Sequence, residues 1–343
     1  MHSPFSNSNL SVSPLLIGSS SITLKGIKRP IENELQELHH FFSDQLNTDV
    51  GILRHIVKYL LKTKGKELRP ILVFLSAKTI NQVTERAKIA ATMVELMHTA
   101  TLVHDDVVDD ADRRRGFLSI NKIWKNKAGV LLGDFLLARG LLVALNYNEF
   151  ELLKVLSSTV QRMSEGELRQ LKAAKMKNMT REKYFDIISG KTASLISACC
   201  ECGAITAGAN ENDRKTMKEV GELIGLAFQI RDDLFEYGMD DVGKPIGNDI
   251  IEGKITLPLI EAFGLASAKR SLAIRKMFKK SRKSSQEIAE IQAFVKESGG
   301  LEEAAKTMFQ LAEQALKKLE QFPESDAKQA FADLIKYVVT RNK

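Results

Sequence analysis

The segment TERAKIAATMVELMHTATLVHDDVVDD, residues 84–110, decides the fold. Its apolar positions Ile89, Met93, Leu96, Met97 and Ala100 recur three and four residues apart, the spacing of one helical stripe. Nothing in it breaks a helix: glycine and proline are both absent. Outward from it, no proline occurs between Pro70 and Pro245. Helix interiors exclude proline, so this span permits long uninterrupted helices. Strand signatures are scarce. The spacing predicts helices over Ile31 to Asn47, Gly51 to Leu61, Thr84 to Asp110, Gly129 to Leu145, Glu151 to Lys175, Asp186 to Cys202 and Met217 to Phe235, with another opening at Pro70. The chain reads as all-α, a single large bundle of roughly ten or more helices joined by short turns.

The same segment leads into a dense acidic run. His104 to Gly116 holds five aspartates, followed at once by Arg113, Arg114 and Arg115. So much acid in one place is costly unless something positive sits on it. On a helix Asp105 and Asp109 share a face, while Asp106 points about 100° away from Asp105. Two carboxylates one turn apart make half a site for a hard divalent cation. Mg²⁺ suits it, because it takes one or two carboxylates and completes its shell with water and phosphate oxygens. The guanidinium forks of Arg114 and Arg115 match phosphate. Acid for metal beside base for phosphate reads as a diphosphate site; a solvated charge run is the competing reading.

A second half-site lies downstream. Asp232 and Glu236 again stand one turn apart, with Asp233 beside them. Gly243-Lys244-Pro245 and Gly253-Lys254 follow, and their glycines and proline end the helix. The two lysines are point charges suited to phosphate. Lys66 and Arg69 sit where Pro70 opens a helix, and a helix N-terminus favours an anion. Gly190-Lys191-Thr192 places a cation and a hydroxyl beside a helix-kinking glycine. Glu165-Gly166-Glu167 and Gln170 form a further polar set, and Phe228 and Gln229 lie one turn before the second acids.

The 343-residue composition is that of an ordinary globular protein, with a net charge of +7. That charge suits anionic substrates as well as nucleic acid or a membrane surface. No nucleic-acid module is present, and aromatic residues, at 6%, are too few for a base-stacking platform. Cys199, Cys200 and Cys202 are too tightly spaced for a disulfide framework, and no histidine follows His104 to complete a metal knuckle. They read as buried thiols in a reducing, cytoplasmic setting. No apolar run is expected to approach the ~18 residues of a membrane span. Residues 1–21, rich in Ser, Asn and Pro, read as a disordered tail rather than a secretory signal, with a transit peptide as the alternative. Residues 22–343 read as one helical domain. Lys269 to Lys283 is strongly basic; it reads as a solvated face or a transient contact with anionic lipid.

Taken in order, these motifs resemble the trans-isoprenyl diphosphate synthases. Asp105-Asp106-x-x-Asp109 with Arg114-Arg115-Gly116 is similar to that family's first aspartate-rich motif. Gln229 through Leu257 is similar to its second motif and downstream lysines. Gly65-Lys66-Glu-Leu-Arg69-Pro70 is similar to its N-terminal signature. The likeness runs from about residue 25 to the end. One departure is Glu236, where the family usually has aspartate; the carboxylate sits one methylene further out.

The resemblance implies helices around a deep central cavity and a prenyltransferase that joins isopentenyl diphosphate to an allylic diphosphate. It implies three Mg²⁺ with substrate bound: Asp105 and Asp109 on two, Asp232 on the third, and Asp106, Asp233 and Glu236 orienting water. Arg114, Lys191 and Lys254, with Lys244, Thr192 and Gln229, would face the allylic diphosphate. Lys66, Arg69, His98 and Arg115 would hold isopentenyl diphosphate. Gly133 and Ala138 mark the packing and dimer region, so a homodimer is expected. Ala100 and Thr101, small residues just before Asp105, leave room for a growing tail past Met97 to Met93, about 18 Å along the helix. A long-chain product is expected. A shorter, geranylgeranyl-type synthase and a non-catalytic subunit of a heteromeric synthase are the alternatives.

Overall fold

The central segment forms α5, Glu85–Val108, with Asp109 as its C-cap. The computed structural model describes residues 22–62, 65–114, 116–176, 179–238 and 247–341. The expected tail, residues 1–21, lies outside them, as do Arg115 and Lys244. Ile89, Met93, Leu96, Met97 and Ala100 are all buried, as their spacing requires. Full burial of the isoleucine, leucine and methionine side chains is worth about 1.5–3 kcal/mol each, which is why the helix sits in the core.

Four short or medium helices precede it: α1 Leu24–Lys28, α2 Glu32–Gln45, α3 Gly51–Lys62 and α4 Leu68–Ile80. Pro70 lies in the first turn of α4, where its missing N–H costs nothing. After α5 come α6 Ile120–Asn146 and α7 Phe150–Met176. Then follow α8 Arg181–Ile188, a π-helical turn Ser189–Ala193, α9 Ser194–Thr206 and α10 Glu211–Phe235. The last third holds α11 Asn248–Glu252, α12 Leu257–Leu265, α13 Ala268–Phe278, α14 Ser285–Glu297, α15 Gly300–Leu319 and α16 Asp326–Thr340. Helix α5 packs on α4, α6 and α9; α10 packs on α9, α15 and α16. Both acid-bearing helices therefore share α9 as a neighbour.

Two glycines set how closely α5 and α6 approach. A Cβ on Gly133 would stand 2.1 Å from Nε2 of His104, and one on Gly129 would stand 2.6 Å from Val107. Helix α6 begins nine residues before the expected Gly129, and its backbone leaves helical geometry at Lys125 (φ 73°). By length and composition α6 is apolar enough to cross a membrane, contrary to the expectation that no apolar run reaches that length. Asp134 and Arg139 interrupt it, and its inner side is held against α5. The outer side leaves Val130, Leu131, Leu141, Leu142 and Leu145 exposed.

Between α5 and α6 the arginine run is not helical. Arg113–Arg114 (β1) and Phe117–Leu118 (β2) pair antiparallel, Arg114 opposite Phe117. Gly116 takes φ 83°, which the tight turn requires. This hairpin folds Arg114 back over the end of α5.

Candidate active site

The acidic end of α5 divides as the helical geometry predicts. Asp105 and Asp109 are exposed together, while Asp106 is buried and accepts a 2.7 Å hydrogen bond from Nε of Arg114. Asp106 and Arg114 line a cavity of about 120 Å³ with Gly65, Arg69, Glu95 and His98. The N-terminal signature and the first acidic motif thus meet, and His98 joins them from within α5. Lys66 is not among the residues that line the cavity, although Gly65 and Glu67 on either side are; it donates to Tyr337 Oη at 3.2 Å.

Glu67 shapes this cavity. It precedes α4 in the left-handed region (φ 60°, ψ 32°), a strained conformation for a side-chain-bearing residue. Its carboxylate accepts from Lys28 at 3.0 Å and meets His39 at 2.5 Å. Burial alone would raise its pKa, but these two contacts hold it below the usual range. The ion pairs pin the turn that presents Lys66 and Arg69.

A second cavity of about 130 Å³ brings together Gln170, Tyr184, Lys191, Thr192, Gln229, Asp233, Asp249 and Lys254. The π-helical turn aims Lys191 into it. That turn crosses α7 where both backbones are glycine: a Cβ on Gly166 would lie 2.7 Å from the backbone N of Lys191. Lys191 pairs with Glu167 at 2.5 Å and reaches Gln170 at 3.4 Å. Thr192 donates to Gln229 at 2.8 Å, Gln229 donates to Asp233 at 2.9 Å, and Tyr184 donates to the other Asp233 oxygen at 2.6 Å.

Lys191 and Lys254 tie the two acidic motifs together. Although Asp105 keeps contact with solvent, partial desolvation by the surrounding protein raises its pKa, Lys191 opposes this, and Glu167 and Asp109 add to it. The same Lys191 acts on Asp249. Lys254 feels both Asp249 and Asp109, and pairs with Glu252 at 2.5 Å. Asp233, fully buried, is pushed up to about 8, by burial first and then by Asp249. Asp249 is pushed up to about 6, by burial and then by Glu236. Two lysines thus stand among a surplus of crowded carboxylates.

The consecutive acids of α10 point to different places. Asp233 lines the second cavity, whereas Asp232, half-exposed, is held by Nη2 of Arg341. The Arg341 guanidinium stacks over Phe228 at 4.3 Å, and its backbone O accepts from Arg231 at 2.7 Å. The C-terminal segment therefore closes over the outer side of the second motif. Glu236 caps α10, and its Oε2 is buried without a hydrogen-bond partner among the described residues.

These residues fit a divalent cation. The raised carboxylate pKa values have like charges among their causes, and a buried carboxylate oxygen lacks a donor among the described residues; both suit a cation with oxygen ligands. Among the described residues no three candidate ligands converge as a ready-made cage.

Tyr184 and Asp249 were not picked out in the sequence. Asp249 stood within the glycine- and lysine-rich stretch after α10, where its acid could have been read as a third carboxylate. Tyr184 carries no motif; only packing brings it to Asp233. We expect Tyr184→Phe to lower turnover roughly 5- to 100-fold, the effect of stripping a donor from a buried carboxylate. Steady-state kinetics check this, and an unchanged kcat would remove Tyr184 from the support of Asp233.

The family model of polyprenyl synthetase matches residues 50–295. The chain belongs to this family. A relative from Rhodobacter capsulatus, described as all-trans-nonaprenyl-diphosphate synthase (geranyl-diphosphate specific), is 35% identical over 92% of this chain and 97% of its own. The crystal structure of a decaprenyl diphosphate synthase from Rhodobacter capsulatus superimposes with a TM-score of 0.88, at 31% identity over 94% of this chain and all of its own. That of a polyprenyl synthase from Caulobacter crescentus, complexed with calcium and isoprenyl diphosphate, gives 0.87 at 30% identity over 95% of this chain and all of its own. This polyprenyl synthetase family member is accordingly a prenyltransferase, a polyprenyl diphosphate synthase with the all-α isoprenoid synthase fold, as its motifs implied.

Proposed function

We propose that the protein condenses isopentenyl diphosphate with an allylic diphosphate and makes a long-chain, all-trans product. The observation that carries this reading is the pair of cavities beside the acidic end of α5, one lined by Arg69, His98 and Arg114, the other by Lys191 and Lys254. Two diphosphate substrates need two cationic seats; a terpene cyclase, which ionises one, would leave Arg69 and His98 without a task.

Asp105, Asp109 and Asp232 would hold Mg²⁺, with Asp106, Asp233 and Glu236 orienting its water and three ions expected alongside substrate. Bound Mg²⁺ would draw charge from the leaving diphosphate and favour rupture of the allylic C–O bond. Lys191 and Lys254 supply point charges to that diphosphate. Thr192 and Gln229 fix the Asp233 carboxylate beside it. Lys244 and Arg115, which lie outside the described residues, are assigned to the allylic and isopentenyl diphosphates respectively. Arg114 was expected with Lys191 and Lys254; it lines the cavity of Arg69 and His98 and also acts on Asp105, so it stands between the two diphosphates. Arg69 and His98, with Lys66, hold isopentenyl diphosphate so that its double bond meets the allylic cation. The new C–C bond forms, a proton leaves the neighbouring carbon, and the released diphosphate accepts it. No protein base is required.

Small residues before Asp105 support a long product. Ala100 is fully buried on α5, Thr101 spends its hydroxyl on the His98 carbonyl, and Met97 and Met93 are flexible thioethers below. The exposed leucines of α6 support a homodimer, since a contiguous apolar face seeks a partner. Three buried free thiols support a cytoplasmic setting.

Purified protein given Mg²⁺, isopentenyl diphosphate and an allylic starter should yield a long-chain polyprenyl diphosphate by mass spectrometry. Light scattering on the same sample should give twice the 38.2 kDa chain mass. No turnover without a second, different chain would favour the regulatory subunit, and a twenty-carbon end product would favour the geranylgeranyl-type enzyme. A monomeric mass would remove the homodimer.

A further inference from the structure

The basicity of this chain is concentrated in one place. Residues 262–286 contain no aspartate or glutamate, yet include Lys269, Arg270, Arg275, Lys276, Lys279, Lys280, Arg282 and Lys283. Those eight cations, set against a net charge of +7, leave the rest of the chain within one charge of neutral. The described site cations do not explain the excess: Arg114, Lys191 and Lys254 already pair with Asp106, Glu167 and Glu252.

Helix α13 carries half of the run and has two distinct sides. Ser271, Ile274 and Phe278 are buried, one stripe at helical spacing. On the other side Lys269, Leu272 and Lys276 are exposed, three and four residues apart, with Lys279 continuing the line. Leu272 is 56% exposed at the centre of this basic face. Two cations are neutralised nearby, Arg270 by Glu297 and Lys280 by Glu287. Arg275 lies over the Phe263 ring at 3.9 Å. Lys269, Lys276 and Arg282 make no ion pair among the described residues.

We propose that α13 is a docking face for anionic lipid headgroups. A leucine flanked on one helical face by lysines suits the boundary between headgroups and acyl chains: the apolar side chain enters and the ammonium groups stay with the phosphates. Nucleic acid offers the same charge but no place for Leu272, and no exposed aromatic on α13 offers a base a stacking surface. The inference stands on charge and exposure, and holds whatever the length of the product.

The test is cosedimentation of the full-length protein with vesicles. It should bind phosphatidylcholine vesicles containing phosphatidylglycerol, not vesicles of phosphatidylcholine alone, and should be released by about 0.5 M NaCl, where screening shortens to a few ångströms. The triple variant K269E/K276E/R282E should bind at least about tenfold more weakly. Its thermal melt and its turnover of soluble substrates should be unchanged, since none of these residues touches the site. Equal binding to neutral vesicles, or salt-insensitive binding by the wild type, would overturn the proposal without reference to any variant. So would full binding by the charge-reversed protein, or displacement from anionic vesicles by a short DNA duplex at equal phosphate concentration.

Discussion

Asp105→Ala is expected to lower kcat by about 10³-fold or more, the scale of several kcal/mol of lost metal-assisted charge stabilisation. Asp105 sits on the exposed face shared with Asp109, within reach of both Lys191 and Glu167. Its charge is not needed to hold the fold. Burial and like charges already press its pKa upward, so removing it relieves repulsion in the unliganded protein. The melting temperature should therefore stay level or rise while catalysis collapses. Calorimetric titration with Mg²⁺ and inorganic diphosphate should show weakened metal-dependent binding in parallel. Asp105→Glu, which keeps the charge one methylene further out, should recover part of the activity. Near-normal turnover by the alanine variant would take Asp105 out of the reaction.

Ala100→Phe is expected to change what is made rather than whether anything is made. Ala100 is fully enclosed on α5, so a phenyl ring there must occupy the path of the growing chain or displace its neighbours. Below it Met97 abuts α6 at Gly140, where a Cβ would lie 3.6 Å from Met97 Cγ. The substitution also overpacks the core and should cost about 1–3 kcal/mol of stability, visible as a lower melting temperature. Product chromatography should show a shift to the fifteen-carbon class. If the unaltered protein already stops there, or the variant's products are no shorter, chain length is set elsewhere.

Much of the site was legible because its chemistry is locally encoded. The i, i+4 pairing of Asp105 with Asp109, and the rotation of Asp106 away from them, follow from helical geometry alone. So does burial of the Ile89 to Ala100 stripe. The turn before Pro70 announced a helix start with cations. Other features had no local signal. The arginines after Asp112 read as a continuation of the charge run, but Gly116 at positive φ reverses the chain there and returns Arg114 to Asp106. Lys191 needed two glycines, Gly166 and Gly190, from different helices to reach its cavity. Tyr184 lies 49 residues from Asp233, a pairing no periodicity reports.

By itself, then, the sequence determined which segments are helical, which of their faces are apolar, and where two acid-and-base motifs suited to diphosphate chemistry lie, because each depends on contacts within a turn or two of one helix. Only the tertiary structure decided which acid of α10 meets the cavity and which meets the C-terminus, since Asp232 and Asp233 are alike in sequence and differ by the rotation that packing against α9, α15 and α16 imposes. It also decided which cations are answered: Lys191 and Lys254 meet Glu167 and Glu252, whereas Lys269 and Lys276 of α13 stay exposed, because charge balance is settled by which side chains meet across the fold.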